Sequence, residues 1–204
     1  GCGSSNVLEY LGYQFTNKQD SLKKSMETAG ICFLHAPLFH PAMKNVGPTR
    51  KELQTKTFFN ILGPLVNPSF PKNQITGVYN LEIARLYAYL FQKSDMNYTV
   101  IHSLDGYDEI SLTGNFKYIS NEKDEILSPE EIGFEKIEPS TILSGGTIEK
   151  AAKIFISILE GNGTPEQNSV VLVNSAMAID CISCSRNFQN SLQAAKDSLF
   201  GGKA

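Results

Sequence analysis

The chain has 204 residues, 41% hydrophobic and 19% charged, a composition that can build a packed core and that excludes wholesale disorder. Its 18 Lys and Arg against 21 Asp and Glu leave a formal charge of −3, which gives no general pull toward nucleic acid or an anionic membrane. No run approaches the ~18 apolar residues of a spanning helix, and Gly1 to Asn6 lack the basic and apolar regions of a signal peptide, so a cytoplasmic globular protein is expected. The opening Gly1-Cys-Gly-Ser-Ser-Asn6 runs straight into Val7-Leu8-Glu9, as if cut from something longer.

In chain order, Ser5 or Asn6 caps a short helix carrying Val7, Leu8 and Leu11, and Gly12 ends it. Asn17 to Asp20 leads a second helix that Gly30 stops. Ile31-Cys-Phe-Leu34 is short, apolar and bounded by turn signals, and is expected as a buried strand. Beyond His35, Pro41, Pro48, Pro64 and Pro68 punctuate a segment with basic clusters, within which Thr57 to Leu62 is a candidate helix. Ile75 to Tyr79 reads as a strand, and Ile83, Leu86, Tyr87 and Leu90 form the apolar stripe of the helix after it. Tyr98 to His102 reads as another strand, followed by an Asp105-Gly106 turn. Phe116 to Ile119 and Glu125 to Leu127 are expected as further, more exposed strands, and Ser128-Pro-Glu-Glu131 opens a turn of helix. In the last third, Ile148, Ala151, Ala152, Phe155, Ile156 and Leu159 line one helix face, and Phe188, Leu192, Ala195 and Leu199 line another. Val170 to Ile182, between them, is apolar nearly all round; its length and Ala-Met-Ala content favour a buried helix over a strand. Strands alternating with helices predict an α/β fold with a largely buried sheet.

The densest polar segment is His40-Pro-Ala-Met-Lys-Asn-Val-Gly-Pro-Thr-Arg50-Lys-Glu52. It sets an imidazole, an ammonium, an amide and a guanidinium close together between prolines that restrict the backbone. Such a set suits an organic anion, with Arg gripping a carboxylate through two parallel bonds and His adding a donor. A solvated loop with a surface ion pair to Glu52 is the alternative of equal weight. Asp105-Gly-Tyr-Asp108-Glu109 follows a buried strand, at the kind of strand end where open α/β sheets bind ligands. Adjacent carboxylates there suit Mg2+. Neighbouring side chains diverge in a strand, however, so the pair needs a loop conformation, and an ordinary acidic turn is the plainer reading. Gly3-Ser4-Ser5 ahead of a helix can offer N–H groups and hydroxyls to a phosphate, although Ser is also simply a good N-cap. Cys181 and Cys184 form a C-x-x-C without the further ligands that zinc needs, and are expected as packed thiols. His102 is expected as a strand-end residue rather than a base.

Four stretches carry a resemblance. They are Cys2-Gly-Ser-Ser-Asn-Val-Leu-Glu-Tyr-Leu-Gly12, His40-Pro-Ala-Met-Lys-Asn-Val-Gly-Pro-Thr-Arg50, Asn60-Ile-Leu-Gly-Pro-Leu-Val-Asn-Pro68 and Asp105-Gly-Tyr-Asp-Glu-Ile-Ser-Leu-Thr-Gly114. Together and in this order they resemble the anthranilate phosphoribosyltransferase family, and the tail with Gly145-Gly146, Val173-Asn174 and the closing helix is similar to the family's C-terminal end. The resemblance implies that anthranilate and phosphoribosyl pyrophosphate (PRPP) are joined to phosphoribosyl-anthranilate with release of pyrophosphate, with Mg2+, on the tryptophan pathway. It implies that Arg50 binds the anthranilate carboxylate and that His40, Gly63 and Pro64 line the aromatic site. It further implies that Asp108 and Glu109 hold Mg2+ and that Ser4 touches PRPP.

The family's Gly-Thr-Gly-Gly-Asp loop and its Asn-x-Ser-Thr and Lys-His-Gly-Asn segments have no counterpart in the chain. The resemblance therefore implies that residues 1–204 are the C-terminal part of the large α/β (glycosyltransferase family 3-like) domain, of the nucleoside phosphorylase and phosphoribosyltransferase type, with a mixed β-sheet flanked by helices. The small N-terminal helical domain would be absent, the fragment inactive or nearly so alone, and the full-length parent a homodimer. Pyrimidine nucleoside phosphorylases and nucleic-acid-binding homologues of the same architecture are the competing readings. Arg50 within its segment favours anthranilate, and the charge of −3 disfavours nucleic acid.

Overall fold

The computed structural model describes residues 3–40, 59–183 and 186–204, and the chain divides into two compact units, Gly3–Phe70 and Pro71–Ala204. In the first unit, helix α1 (Ser4–Tyr10) is followed by Gly12 at φ 91, and α2 (Gln19–Ala29) closes on Gly30 at φ 70, whose N–H bonds to the Met26 carbonyl. These are the left-handed C-terminal positions that the two glycines announce in the sequence. None of the residues of this unit whose exposure is described is fully buried. Its packing is instead an aromatic cluster of Tyr13, Phe15 and Phe33, in edge-to-face pairs with centroids 5.0 to 6.3 Å apart. Helix α3 (Ala36–Phe39) follows, and then α4 (Phe59–Leu62), which runs into a 3-10 turn at Gly63–Val66. Thr57 and Phe58, the start of the expected helix, lie outside the described residues.

The stretch Ile31 to Leu34, expected as a buried strand, is irregular. A strand needs a ladder partner, and none faces it among the described residues. Phe33 turns its ring to the aromatic cluster while Ile31 stays 55% exposed.

The second unit is built on a mixed four-stranded sheet of β1 (Asn73–Gly77), β2 (Asn97–Ser103), β3 (Phe116–Ser120) and β4 (Asp124–Leu127), in that spatial order. Strands β1 and β2 are parallel and joined through α5 (Leu81–Phe91), with Gly77 opposite Ile101; the other two pairs are antiparallel. Strand β2 is buried on both faces, with Tyr98, Val100 and His102 on one and Thr99, Ile101 and Ser103 on the other. Helix α5 covers the first face through a chain of tilted rings, Tyr87 to Phe91 at 5.7 Å and Phe91 to Tyr98 at 5.6 Å. Two further helices, α6 (Ile148–Leu159) and α7 (Pro165–Ile182), precede the closing α8 (Phe188–Phe200).

Helix α7 covers the second face of the sheet, where Val173 and Met177 join Ile101, Phe116 and Tyr118 in one core. On its other side Leu172 and Ala176 pack against Leu192, Ala195 and Leu199 of α8. A helix buried on two sides has to be apolar nearly all round, which is the pattern its sequence carries. Among the described residues no helix is long and apolar enough to cross a membrane.

Two details correct the sequence reading. Strand β3, expected to be exposed, buries Phe116, Tyr118, Ile119 and Ser120, because it is an inner strand under α7 rather than an edge. On α5 the buried positions are Ala84, Tyr87 and Phe91, while Leu86 and Leu90 of the expected stripe are each 40% exposed. The helix turns its aromatic side, not its leucines, to the sheet.

Candidate acceptor and metal site

In the first unit, the residues expected around an aromatic acceptor fall on α3 and on the turn after α4. His40 follows α3 directly, its N–H bonded to the Ala36 carbonyl at 2.9 Å. His40 and Gly63 line a common cavity of about 100 Å³, with Leu34, Phe39, Asn67 and Pro68. An apolar wall with one imidazole and one carboxamide suits a small planar ring that bears a polar group. Pro64 adjoins Gly63 as the second residue of its 3-10 turn. Asn67 has no role in the sequence reading, although it lies within the resembling stretch Asn60 to Pro68. Its Oδ1 accepts from the Ser69 N–H at 2.9 Å and the Ser69 hydroxyl at 2.8 Å, closing the turn that borders the cavity. Arg50, the expected carboxylate ligand, lies outside the described residues. Ser4, the expected PRPP contact, is exposed as the first residue of α1. His35 stacks on Phe15 at 4.5 Å, with its Nδ1 3.5 Å from the Ser5 hydroxyl.

In the second unit, Asp108 and Glu109 lie on the loop between β2 and β3, both exposed. This is the non-strand conformation that adjacent carboxylates require if they are to act together. The loop turns at Gly106, φ 104, whose N–H bonds to the Ser103 carbonyl at 2.9 Å. Two residues that the sequence did not single out hold it from the sheet. The Ser103 hydroxyl, at the end of β2, donates to the Glu109 carbonyl at 2.6 Å and accepts from the Ser111 N–H at 3.2 Å. Gly77, at the end of β1, lets the loop approach so closely that a Cβ there would stand 1.9 Å from the Asp108 carbonyl oxygen. Asp105 accepts a short hydrogen bond from the Thr113 hydroxyl, tying the two ends of the loop together.

Glu109 is exposed as a residue, but partial desolvation of its carboxyl pushes it above the usual carboxylate range, and the Asp108 carboxylate pushes it the same way; a bond from its own backbone N–H opposes both. Two crowded carboxylates of this kind gain from a cation, and hard exposed oxygens match Mg2+. Among the described residues no group of three or more His, Cys, Asp or Glu forms a metal cage. The pair therefore fits an ion that takes one or two carboxylates and completes its shell with water and substrate phosphate.

His102 is buried, its Nδ1–H donating to the Val78 carbonyl at 2.9 Å, a structural role that agrees with its reading as a strand-end residue. Cys181 is buried and free, its thiol 3.6 Å from the Gln74 carbonyl. Cys184 lies outside the described residues.

Comparison with known proteins places this geometry in a family. The sequence matches, over residues 1–204, the family described as glycosyl transferase family, a/b domain. It is 55% identical over 202 residues to the anthranilate phosphoribosyltransferase of Flavobacterium johnsoniae, covering 98% of this chain and 61% of that protein. It is 49% identical over 203 residues to that of Cytophaga hutchinsonii, covering 62% of its length. The crystal structure of anthranilate phosphoribosyltransferase from Thermus thermophilus superposes with a TM-score of 0.88 at 28% identity, over 98% of this chain and 60% of that one. The Saccharomyces cerevisiae enzyme in complex with PRPP and Mg gives 0.84 at 28% identity, over 98% of this chain and 58% of that one. The chain thus spans about three fifths of the length of these relatives. With the family match running from end to end, the chain belongs to the glycosyl transferase family, of which it carries the a/b domain.

Proposed function

We propose that the chain supplies the acceptor-binding and metal-holding side of an anthranilate phosphoribosyltransferase, in which PRPP and anthranilate give phosphoribosyl-anthranilate and pyrophosphate. The observation that carries this reading is the pair of exposed carboxylates, Asp108 and Glu109, on a loop fixed at the end of β2 by Ser103 and Gly77. Curated relatives that share more than half of its residues bear this activity in their names, and a solved relative holds PRPP and Mg.

In the reaction the bond from the ribose C1 to the pyrophosphate oxygen breaks, and one from the anthranilate nitrogen to C1 forms as that nitrogen gives up a proton. Negative charge gathers on the departing pyrophosphate while the sugar becomes cationic. Mg2+, held by Asp108 and Glu109 together with the substrate phosphates, would neutralise the leaving group. Ser4 contacts PRPP. Arg50 pairs with the anthranilate carboxylate, and His40, Gly63 and Pro64 line its ring, so that the amine faces C1. The chain works in the cytoplasm, without nucleic acid or membrane, as part of a homodimeric parent. By itself it turns over little or no substrate.

The test uses the protein extended to the length of its relatives. Arg50→Ala is expected to raise the anthranilate KM about tenfold or more, the worth of a charge-assisted pair, while the PRPP KM changes far less. An unchanged anthranilate KM would overturn the reading in favour of a relative with another acceptor.

A further inference from the structure

Helix α7 carries a carboxamide that reaches the acidic loop. Asn174 sits near the middle of this 18-residue helix, beside the fully buried Val173. A carboxamide at such a place costs helix propensity and desolvation unless its groups are bonded. They are bonded, chiefly to a single residue of the acidic loop. Oδ1 accepts from the Ile110 N–H at 3.0 Å, and Nδ2 donates to the Ile110 carbonyl at 2.9 Å and to the Val170 carbonyl at 2.9 Å. Both N–H bonds of the amide are thereby spent, and the one to Val170 sets its orientation. Ile110 is 0% exposed, so solvent offers its backbone no substitute. The same amide borders an open cavity of about 430 Å³ together with Glu109 and Tyr107.

The peptide unit between Glu109 and Ile110 is held at both of its polar ends. Its carbonyl takes the Ser103 hydroxyl at 2.6 Å and its N–H takes Asn174 at 3.0 Å. Fixing that plane fixes the backbone torsion from which the Glu109 side chain departs. One residue earlier, the Asp108 carbonyl is wedged against Gly77. Three consecutive residues are thus restrained from three elements, β1, β2 and α7.

We propose that Asn174 is a positioning residue for the acidic pair, holding Asp108 and Glu109 in the geometry that binds a divalent cation. The inference rests on the reading of those two carboxylates as metal ligands. Residues that orient metal ligands from behind set affinity without touching the ion, and their loss typically costs about tenfold to a hundredfold in binding.

The test titrates Mn2+, an oxygen-preferring stand-in for Mg2+, into the 204-residue chain and follows the free ion by its paramagnetic resonance signal. Asn174→Leu keeps the size and removes every bond; Asn174→Ala serves if the leucine variant does not fold. Leu199→Ala, in the α7–α8 core away from the loop, is the control for a general loss of stability, ranked by thermal melting. The combined Asp108→Asn, Glu109→Gln variant tests the underlying reading. The inference expects Mn2+ affinity to fall about tenfold or more in the Asn174 variants and to remain at the wild-type value in Leu199→Ala. Mn2+ binding within about twofold of wild type in both Asn174 variants, with binding lost in the double variant, would overturn the inference and leave the metal reading standing. An equal loss in Leu199→Ala at an equal melting temperature would also overturn it. Undiminished binding by the double variant would overturn the metal reading, and this inference with it.

Discussion

A missing methyl group does much of the work at Gly77. A Cβ there would stand 1.9 Å from the oxygen and 2.8 Å from the carbon of the Asp108 carbonyl, backbone atoms that cannot swing aside. Gly77→Ala is therefore expected to cost about 1 to 3 kcal/mol of stability, read as a lower denaturation midpoint, as the loop is pushed off the sheet. Gly63 is the contrasting case, because a Cβ there meets nothing within 4 Å. Gly63→Ala is expected to melt at or slightly above the wild-type temperature, since the substitution mainly restricts the unfolded chain. In the full-length protein the same change is expected to weaken anthranilate binding, measured by titration, because the methyl group enters the acceptor cavity that Gly63 lines. The roles proposed for His40, Asp108 and Glu109 come from motifs that resemble a family, because the residue types within a motif stay visible in a sequence. Gly77, Ser103 and Asn174 act on the backbone of another segment. Contacts of that kind leave no spacing to read, and only the folded chain displays them.

On α7 the sequence reading reached Val170 to Ile182 as a buried helix, and the structure begins the helix earlier, at Pro165. Its start is a capping box, with the Thr164 hydroxyl accepting from the Gln167 N–H at 3.3 Å and the Gln167 side chain accepting from the Thr164 N–H at 3.1 Å, ahead of Pro165 at the first helical position. Thr164→Ala is expected to cost about 1 kcal/mol, measured by denaturant unfolding. On α6 the exposed pair Glu149–Lys153 sits four residues apart at 2.7 Å. The hydrogen bond and charge of Lys153 hold the Glu149 carboxyl below its ordinary range. A lowered folded-state value makes the pair's small contribution present above the unfolded carboxyl range and lost as pH falls through the lowered one. Glu149→Gln is expected to remove that portion of the acid limb of a stability–pH profile, and added salt to shrink it.

Elements whose character depends on neighbours were read less well. Ile31 to Leu34 has strand composition but no ladder partner among the described residues. Strand β3 has the alternation of a half-exposed strand yet is an inner strand of the sheet. On α5 the leucine stripe was a plausible core face, but the rings of Tyr87 and Phe91 reach Tyr98 and claim the sheet instead.

At the scale of the whole molecule, the α/β class was legible because alternating strands and helices leave few ways to bury a sheet on both faces. The division into units at Phe70 and Pro71 was not, since both sides of that boundary share the same mixture of turns and apolar residues. The chain corresponds to 61% of the length of its Flavobacterium johnsoniae relative, and the phosphate-binding segments expected of the family are not in it. The proposed function makes this chain one side of a phosphoribosyl transfer site. Its most direct test follows the loss of anthranilate fluorescence with PRPP and Mg2+ present, comparing the 204-residue chain with the same protein extended to its relatives' length. The extended protein is expected to consume anthranilate and the 204-residue chain to consume none above background; turnover by the 204-residue chain at the rate of the extended protein would contradict the account.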